Sequence, residues 1–285
     1  MLASILLPLA DGPDWEHAEE YALWLAQKGG HIQALGVIDI KAFEIPVLGT
    51  ADGFMPPVVS PPIEESQVLL DDLAKLAKER LDRFGRACEA RGLSVSTEIR
   101  TGIPGDVIVR ESVAHDIVVM SRSGYARVVK NGNWSLDPLV SCVIRGSIRP
   151  VLVAGGKFPS AGAIKRLVAA YDGSVHASRA LSIAAELSAG YEVQCILVTV
   201  APTEEAGVEV LSPAEAFLYH RGVTPSRKVV IGSKVSESLC DIVATEGADI
   251  LVMGAYGHSP IREMFFGCTT ERILSHCDAT VILQS

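Results

Sequence analysis

Five short strand-length segments, most of them apolar, recur along this chain in the same order, and that internal repeat restricts the fold more than any other feature. SILLPLADG (Ser4 to Gly12) stands ahead of an amphipathic segment, Glu16 to Gln27; RLVAAYDGS (Arg166 to Ser174) stands ahead of Ala177 to Ala189. IQALGVID (Ile32 to Asp39) is answered by VQCILVTV (Val193 to Val200), and SVSTEIRTG (Ser94 to Gly102) by SRKVVIGS (Ser226 to Ser233). HDIVVM (His115 to Met120) then matches ADILVM (Ala248 to Met253), and RPVLVA (Arg149 to Ala154) matches ATVILQ (Ala279 to Gln284). Runs that are apolar throughout and only as long as a strand suit strands buried on both faces. Alternation of such strands with helical patterns predicts, in each half, a parallel sheet covered by helices on both sides.

The halves differ in their middles. Asp11 stands further ahead of Asp172 than Asp116 does of Asp249, so the first half carries extra chain. That chain is Phe43 to Gln67, with Pro46, Pro56, Pro57, Pro61 and Pro62, followed by a helical pattern from Val68 to Arg91. Proline at that density rules out one helix or a central strand and predicts a surface loop or arm. The matching region of the second half predicts only a short helix near Pro213 to Arg221. Gly155 to Gly162, GGKFPSAG, is polar and reads as a flexible linker. The division expected is therefore residues 1–154 and 163–285.

A chain of 285 residues is long enough for two domains with respectable cores. Its net charge of −9 argues against a nucleic-acid or anionic-membrane surface, so any phosphate must be held by local donors. The apolar start, MLASILLPLADGPDW, lacks a basic leader and stops at Asp11, which favours a first strand over a signal peptide. No stretch has the length of a membrane span. Cys88, Cys142, Cys195, Cys240, Cys268 and Cys277 show no CxxC spacing; buried, reduced thiols in a cytoplasmic protein are expected.

Function concentrates in ADILVMGAYGHSPIREMFFGCTTERI, Ala248 to Ile273. An apolar strand ends at Gly254, Gly257 follows, and after nine residues Gly267 precedes Cys268, Thr269 and Thr270 at a helix-like ERIL segment. Glycines let the backbone take unusual conformations and let a ligand approach it. A helix start presents unpaired N–H groups that suit phosphate. A plain structural turn is the competing reading, and neither GxxxxGK[ST] nor GxGxxG is present.

The string VMGxxGHS with GxxTERIL resembles the ATP loop of the universal stress protein family, whose nucleotide-binding members carry GxxG, nine residues, then G[ST]. Gly254, Gly257 and Gly267 match that spacing; Cys268 stands where the family prefers Ser or Thr. The resemblance implies two tandem doubly wound α/β domains, each a five-stranded parallel sheet of order 3-2-1-4-5. The sheet reverses between strands 1 and 4, and open α/β sheets bind ligands at strand ends beside such a reversal. It further implies pairing of the two last strands, Val151 to Ala154 with Val281 to Leu283, across an internal pseudo-twofold axis, and a homodimer beyond that. The implied ligand is ATP or AMP, with Mg²⁺ as the ion that can accompany it.

Site residues follow from the same resemblance, each beside a plainer reading. Asp172, in Tyr171-Asp172-Gly173-Ser174, is expected at the adenosine part of the nucleotide, and equally as a turn carboxylate bonding nearby backbone. The backbone of Val200 is the expected adenine contact; by default Val200 is core. Met253 precedes the glycine loop. Thr269 and Thr270 are expected at phosphate or as helix caps. Glu271 would complete a capping box if residue 268 were Ser; Cys is a weak hydrogen-bonding group, and losing one neutral bond costs about 0.5–1.5 kcal/mol, or roughly tenfold in affinity. Cys268 could alternatively be redox-sensitive. His258 reads as a solvated loop residue and Arg262 as a surface cation that can face phosphate. The first half lacks the pattern: Ser121 replaces the first glycine, and alignment of Ser141 to Ile144 with ERIL puts Asp137 and Pro138 at the phosphate positions. It is therefore not expected to bind ATP this way. A regulatory nucleotide-binding stress protein is the favoured reading; a slow ATP hydrolase, a ligand-free scaffold and a metabolite binder are the alternatives.

Overall fold

The computed structural model describes residues 2–9, 15–39, 63–122, 129–130, 133–134, 137–155, 158–159, 162–257, 268–277 and 279–285. In the first half the strands are β1 (Ser4–Leu9), β2 (His31–Asp39), β3 (Ser94–Gly102), β4 (Ile117–Ser121), a two-stranded ribbon of β5 (Val129–Lys130) and β6 (Asn133–Trp134), and β7 (Val151–Ala154). In the second half they are β8 (Arg166–Ala170), β9 (Gln194–Ala201), β10 (Ser226–Ile231), β11 (Ile250–Gly254) and β12 (Thr280–Gln284). The helices are α1 (Trp15–Ala26), α2 (Ile63–Glu89), α3 (Pro104–Ser112), α4 (Pro138–Gly146), α5 (Val175–Tyr191), α6 (Glu204–Tyr219), α7 (Val235–Glu246) and α8 (Cys268–His276).

Ten strands form one sheet in the order β10-β9-β8-β11-β12-β7-β4-β1-β2-β3. Neighbours are parallel within each half, so both halves follow the order 3-2-1-4-5 expected of them. The halves meet where β7 and β12 run antiparallel, with Val151 opposite Leu283 and Val153 opposite Val281. Alternate strand residues point to opposite faces, and each face has its own core. Ile5, Leu7 and Leu9 lie with α1, α2, α5 and α6. Leu6, Val118 and Leu251 lie with α3, α4, α7 and α8. On the first face α1 and α5 meet across the junction: Tyr191 donates its hydroxyl to Leu25 O at 2.7 Å and stacks on Trp24.

Three sequence expectations need correction. The helix expected from Val68 starts at Ile63, just past Pro61 and Pro62, inside the segment read as loop; residues 40–62 lie outside the described residues. The short helix near Pro213 is a sixteen-residue helix with Pro213 in its interior. Its start is capped by the Thr203 hydroxyl, which accepts from Ala206 N, and Gly207 lets it close on Val229, whose side chain a Cβ would overlap. Ser212 turns its hydroxyl back to Val208 O at 2.7 Å beside the proline. The linker is also anchored at two points. Gly155 is hydrogen-bonded to the Thr280 hydroxyl, and Phe158 meets Tyr21 edge-on at 4.9 Å.

Cys88, Cys195 and Cys277 are buried as expected, whereas Cys240 is half-buried and Cys142 is exposed. Burial pushes the thiols of Cys88 and Cys195 up to about 11 and about 12. A hydrogen bond to Cys277, then burial, holds the Cys240 thiol well above its ordinary value. The Cys268 side chain lies outside the described residues. Among the described residues no helix is long and apolar enough to cross a membrane.

Candidate functional site

At the carboxyl ends of β8 and β11, where the second half reverses its strand order, a cavity of about 330 Å³ opens between α5, α7 and the start of α8. Tyr171 extends the strand pairing one step beyond β8, its N–H donating to Val198 O at 2.8 Å. The chain then turns. Asp172 Oδ1 accepts from Ser174 N at 3.0 Å, Gly173 takes a φ of +82°, and the Ser174 hydroxyl caps α5 by accepting from Ala177 N at 3.1 Å. Side-chain acceptors two residues back and at a helix cap satisfy backbone donors that would otherwise be left over. The plain reading of Asp172 is thus present. Its second oxygen, Oδ2, faces Gly257, where a Cβ would sit 3.2 Å away.

The first glycine of the loop has a packing role besides lining the cavity. A Cβ at Gly254 would come within 2.7 Å of Ala177 N and 2.8 Å of His176, so only glycine lets the first turn of α5 lie on the end of β11. Thr270 is buried, and its hydroxyl donates to Ala255 O at 2.8 Å. It ties the start of α8 to the strand end, in place of the cap expected of it.

Of the residues expected at the site, Tyr171, Asp172, Ser174, Val200, Met253, Gly254, Gly257, Thr269 and Thr270 line this one cavity. Gly173 shapes the turn without lining it. His258, Arg262 and Gly267 lie outside the described residues, as does the side chain of Cys268, which opens α8. Sequence reading missed Val198, Thr199, Val235, Leu239 and Tyr256. Val235 and Leu239 are one helical turn apart on α7, a spacing visible in advance; nothing local says that turn faces a ligand. Tyr256 sits inside the GxxG string itself. It meets His176 edge-on at 5.3 Å, and burial pushes its phenol up, with Arg145 of the first half acting the other way.

The walls divide by chemistry. Val198, Val200, Val235 and Leu239 make an apolar slot; Asp172 puts a carboxylate beside it; and the first turn of α8 supplies backbone donors and the positive end of a helix dipole. Such a set can hold a flat apolar ring, accept from a ligand hydroxyl and meet an anion. The equivalent helix start in the first half, that of α4, is occupied differently. Asp137 is buried and caps α4, its Oδ1 accepting from Leu139 N at 2.7 Å, and Pro138 supplies no N–H. Among the described residues no three His, Cys, Asp or Glu side chains cluster to hold a metal.

Comparison with known proteins agrees with this architecture. The model of the universal stress protein family matches residues 163–283. A universal stress protein of Synechocystis is 28% identical over 97% of this chain and 98% of its own length. A universal stress protein of Archaeoglobus fulgidus DSM 4304 superposes with a TM-score of 0.76 at 19% identity, over 99% of this chain and 98% of that one. A Pseudomonas aeruginosa UCBPP-PA14 protein does so with a TM-score of 0.61 at 15% identity, over 99% and 93%. These two likenesses concern the fold. Residues 163–283 match the universal stress protein model, a universal stress protein is similar along nearly the whole chain, and both halves carry the 3-2-1-4-5 sheet, so the chain is similar throughout to proteins of that family.

Proposed function

We propose that the second half binds one adenine nucleotide, ATP or AMP, in the cavity beside β8 and β11, and that occupancy regulates the protein in a stress response. The observation that carries this reading is the convergence of an apolar slot, a carboxylate and a helix start in one cavity at the reversal of strand order. Adenine fits the slot between Val200 and Leu239, with the main chain at the end of β9 offering edge hydrogen bonds. A ribose hydroxyl donates to Asp172 Oδ2, the carboxylate oxygen facing Gly257. The phosphates lie toward the first turn of α8, where Thr269 and Thr270 line the cavity. Mg²⁺ is the ion that can accompany the phosphates. Ligand control is the reading we favour over turnover; Thr270, Ser174 and Asp172 each hold backbone groups in place around the cavity, which supports a binding role.

The test is the content of protein purified without added ligand. Adenine nucleotide in the extracted supernatant, identified by chromatography, supports the reading when Asp172→Ala protein prepared alongside carries much less. Protein that carries none, and that also fails to take up ATP or AMP offered at millimolar concentration, contradicts it.

A further inference from the structure

Side chains cross the junction between the halves unequally. Arg122 follows β4 at the place Ala255 holds after β11: Arg122 N donates to Ala154 O, and Ala255 N donates to Gln284 O. From there the Arg122 guanidinium reaches into the second half, Nη1 donating to Cys277 O at 2.5 Å and Nη2 to Ala279 O at 2.7 Å. Both carbonyls belong to the turn joining α8 to β12. Cys277 N still donates to Ile273 O, so the guanidinium sits at the end of the helix, where unpaired carbonyls and the negative end of its dipole concentrate. Ala255 has only a methyl group and cannot reach back. The corresponding turn of the first half is held by neutral groups, Gln284 Nε2 donating to Ile148 O at 3.3 Å and Ser285 Oγ to Ser147 O at 2.5 Å.

The crossing has its own accommodation. A Cβ on Gly155 would overlap the Arg122 guanidinium and come within 2.6 Å of Ala279 O, so glycine is what leaves the path open. Gly155 is itself fixed to β12, its N–H donating to the Thr280 hydroxyl at 3.0 Å and its carbonyl accepting from it at 3.1 Å. The planar fork, the glycine and the threonine form one lock between the halves.

The other end of α8 lines the cavity through Thr269 and Thr270. We infer that Arg122 is a positioning residue for phosphate: from the half whose own helix start is capped by Asp137, it holds the far end of the helix whose start faces the ligand. This rests on the nucleotide reading above. Its charge acts within the last turn of α8; what reaches the cavity is the placement of a nine-residue helix fixed at both ends, by Arg122 at one and by Thr270 to Ala255 O at the other. The seemingly degenerate first half thereby becomes part of the binding function of the second.

The test compares ATP with adenosine, which lacks phosphate, on the full chain by calorimetry, with melting temperature recorded for each variant. Arg122→Ala and Gly155→Ala should each weaken ATP by roughly threefold to tenfold while leaving adenosine affinity unchanged. Arg122→Lys, which keeps the charge and loses the fork, should fall between. A merely structural role lowers the melting temperature and leaves the ATP-to-adenosine ratio where it was. ATP affinity equal to wild type in folded Arg122→Ala or Arg122→Lys protein overturns this inference alone. Wild-type protein that binds neither ligand overturns the nucleotide reading and the inference with it.

Discussion

Asp116 and Asp249 occupy the same position in the two halves and make the same pair of bonds. Asp116 Oδ2 accepts from Ala3 N at 2.7 Å and Ser4 N at 3.0 Å; Asp249 Oδ2 accepts from Lys165 N at 2.7 Å and Arg166 N at 3.1 Å. Each carboxylate thus fixes where the first strand of its half begins relative to the fourth. Replacing either by Ala leaves two amide donors to solvent and should cost about 0.5–1.5 kcal/mol, with Asn recovering part of it. Denaturant unfolding of the four single variants checks this, and equal losses at the two sites are expected.

Glu19, on α1, is largely buried under α2, and burial lifts its carboxyl to about 7, with Arg83 pulling the other way and Glu16 adding to the rise. One of its oxygens, Oε1, has no hydrogen-bond partner. The unfolded chain releases this proton near 4.5, so the folded state binds more protons between 4.5 and about 7. Stability from this group is therefore greatest below 4.5, falls as pH rises through that window and is fully lost above it. Glu19→Gln should flatten the decline and raise stability at pH 8 by about 1 kcal/mol, against little change at pH 5. Thermal melts across the range decide it; a variant with the wild-type pH profile contradicts the assignment.

The two glycines near the cavity should separate on substitution. Gly254→Ala forces α5 away from β11 and is expected to cost about 1–3 kcal/mol of stability together with ligand binding. Gly257→Ala meets only the tip of Asp172, so the fold should hold while the carboxylate shifts and nucleotide affinity drops. A chemical melt and a ligand titration on both variants distinguish these outcomes.

Cys268→Ser puts a hydroxyl on the first residue of α8, the helix start toward which the phosphates are proposed to lie. ATP affinity should rise, by up to about tenfold if one neutral hydrogen bond is recovered. Unchanged affinity would mean that residue 268 does not meet the phosphate.

Much of the architecture is legible in the sequence because parallel strands buried on both faces leave continuous apolar runs, and those runs recur in order. SILLPL is β1, buried from Ile5 to Leu9, whereas the edge strand β3, SVSTEIRTG, is polar with no buried residue and is recognised only by its place in the repeat. Helix α6 was obscured because Pro213 reads locally as a breaker, whereas the Thr203 cap and the packing of Gly207 on Val229 carry the helix through it. At the site, the GxxG spacing located the cavity and hid the reason for its first glycine. Sequence shows that a side chain is absent at 254, and only the fold shows that His176 and Ala177 take its place. Val235 and Leu239 join the wall only because α7 crosses the end of β9. Arg122 carries no motif at all; the two carbonyls its guanidinium meets are more than a hundred and fifty residues away.

The central claim is that the second half alone holds a nucleotide site and the first half has lost its own. Its most direct measurement is the stoichiometry of ATP binding to the full chain by calorimetric titration after removal of any copurified ligand. The expected result is one ATP per chain, lost in Asp172→Ala protein and retained in Asp137→Ala protein. Two equivalent sites per chain, or a single site insensitive to residue 172, would contradict it.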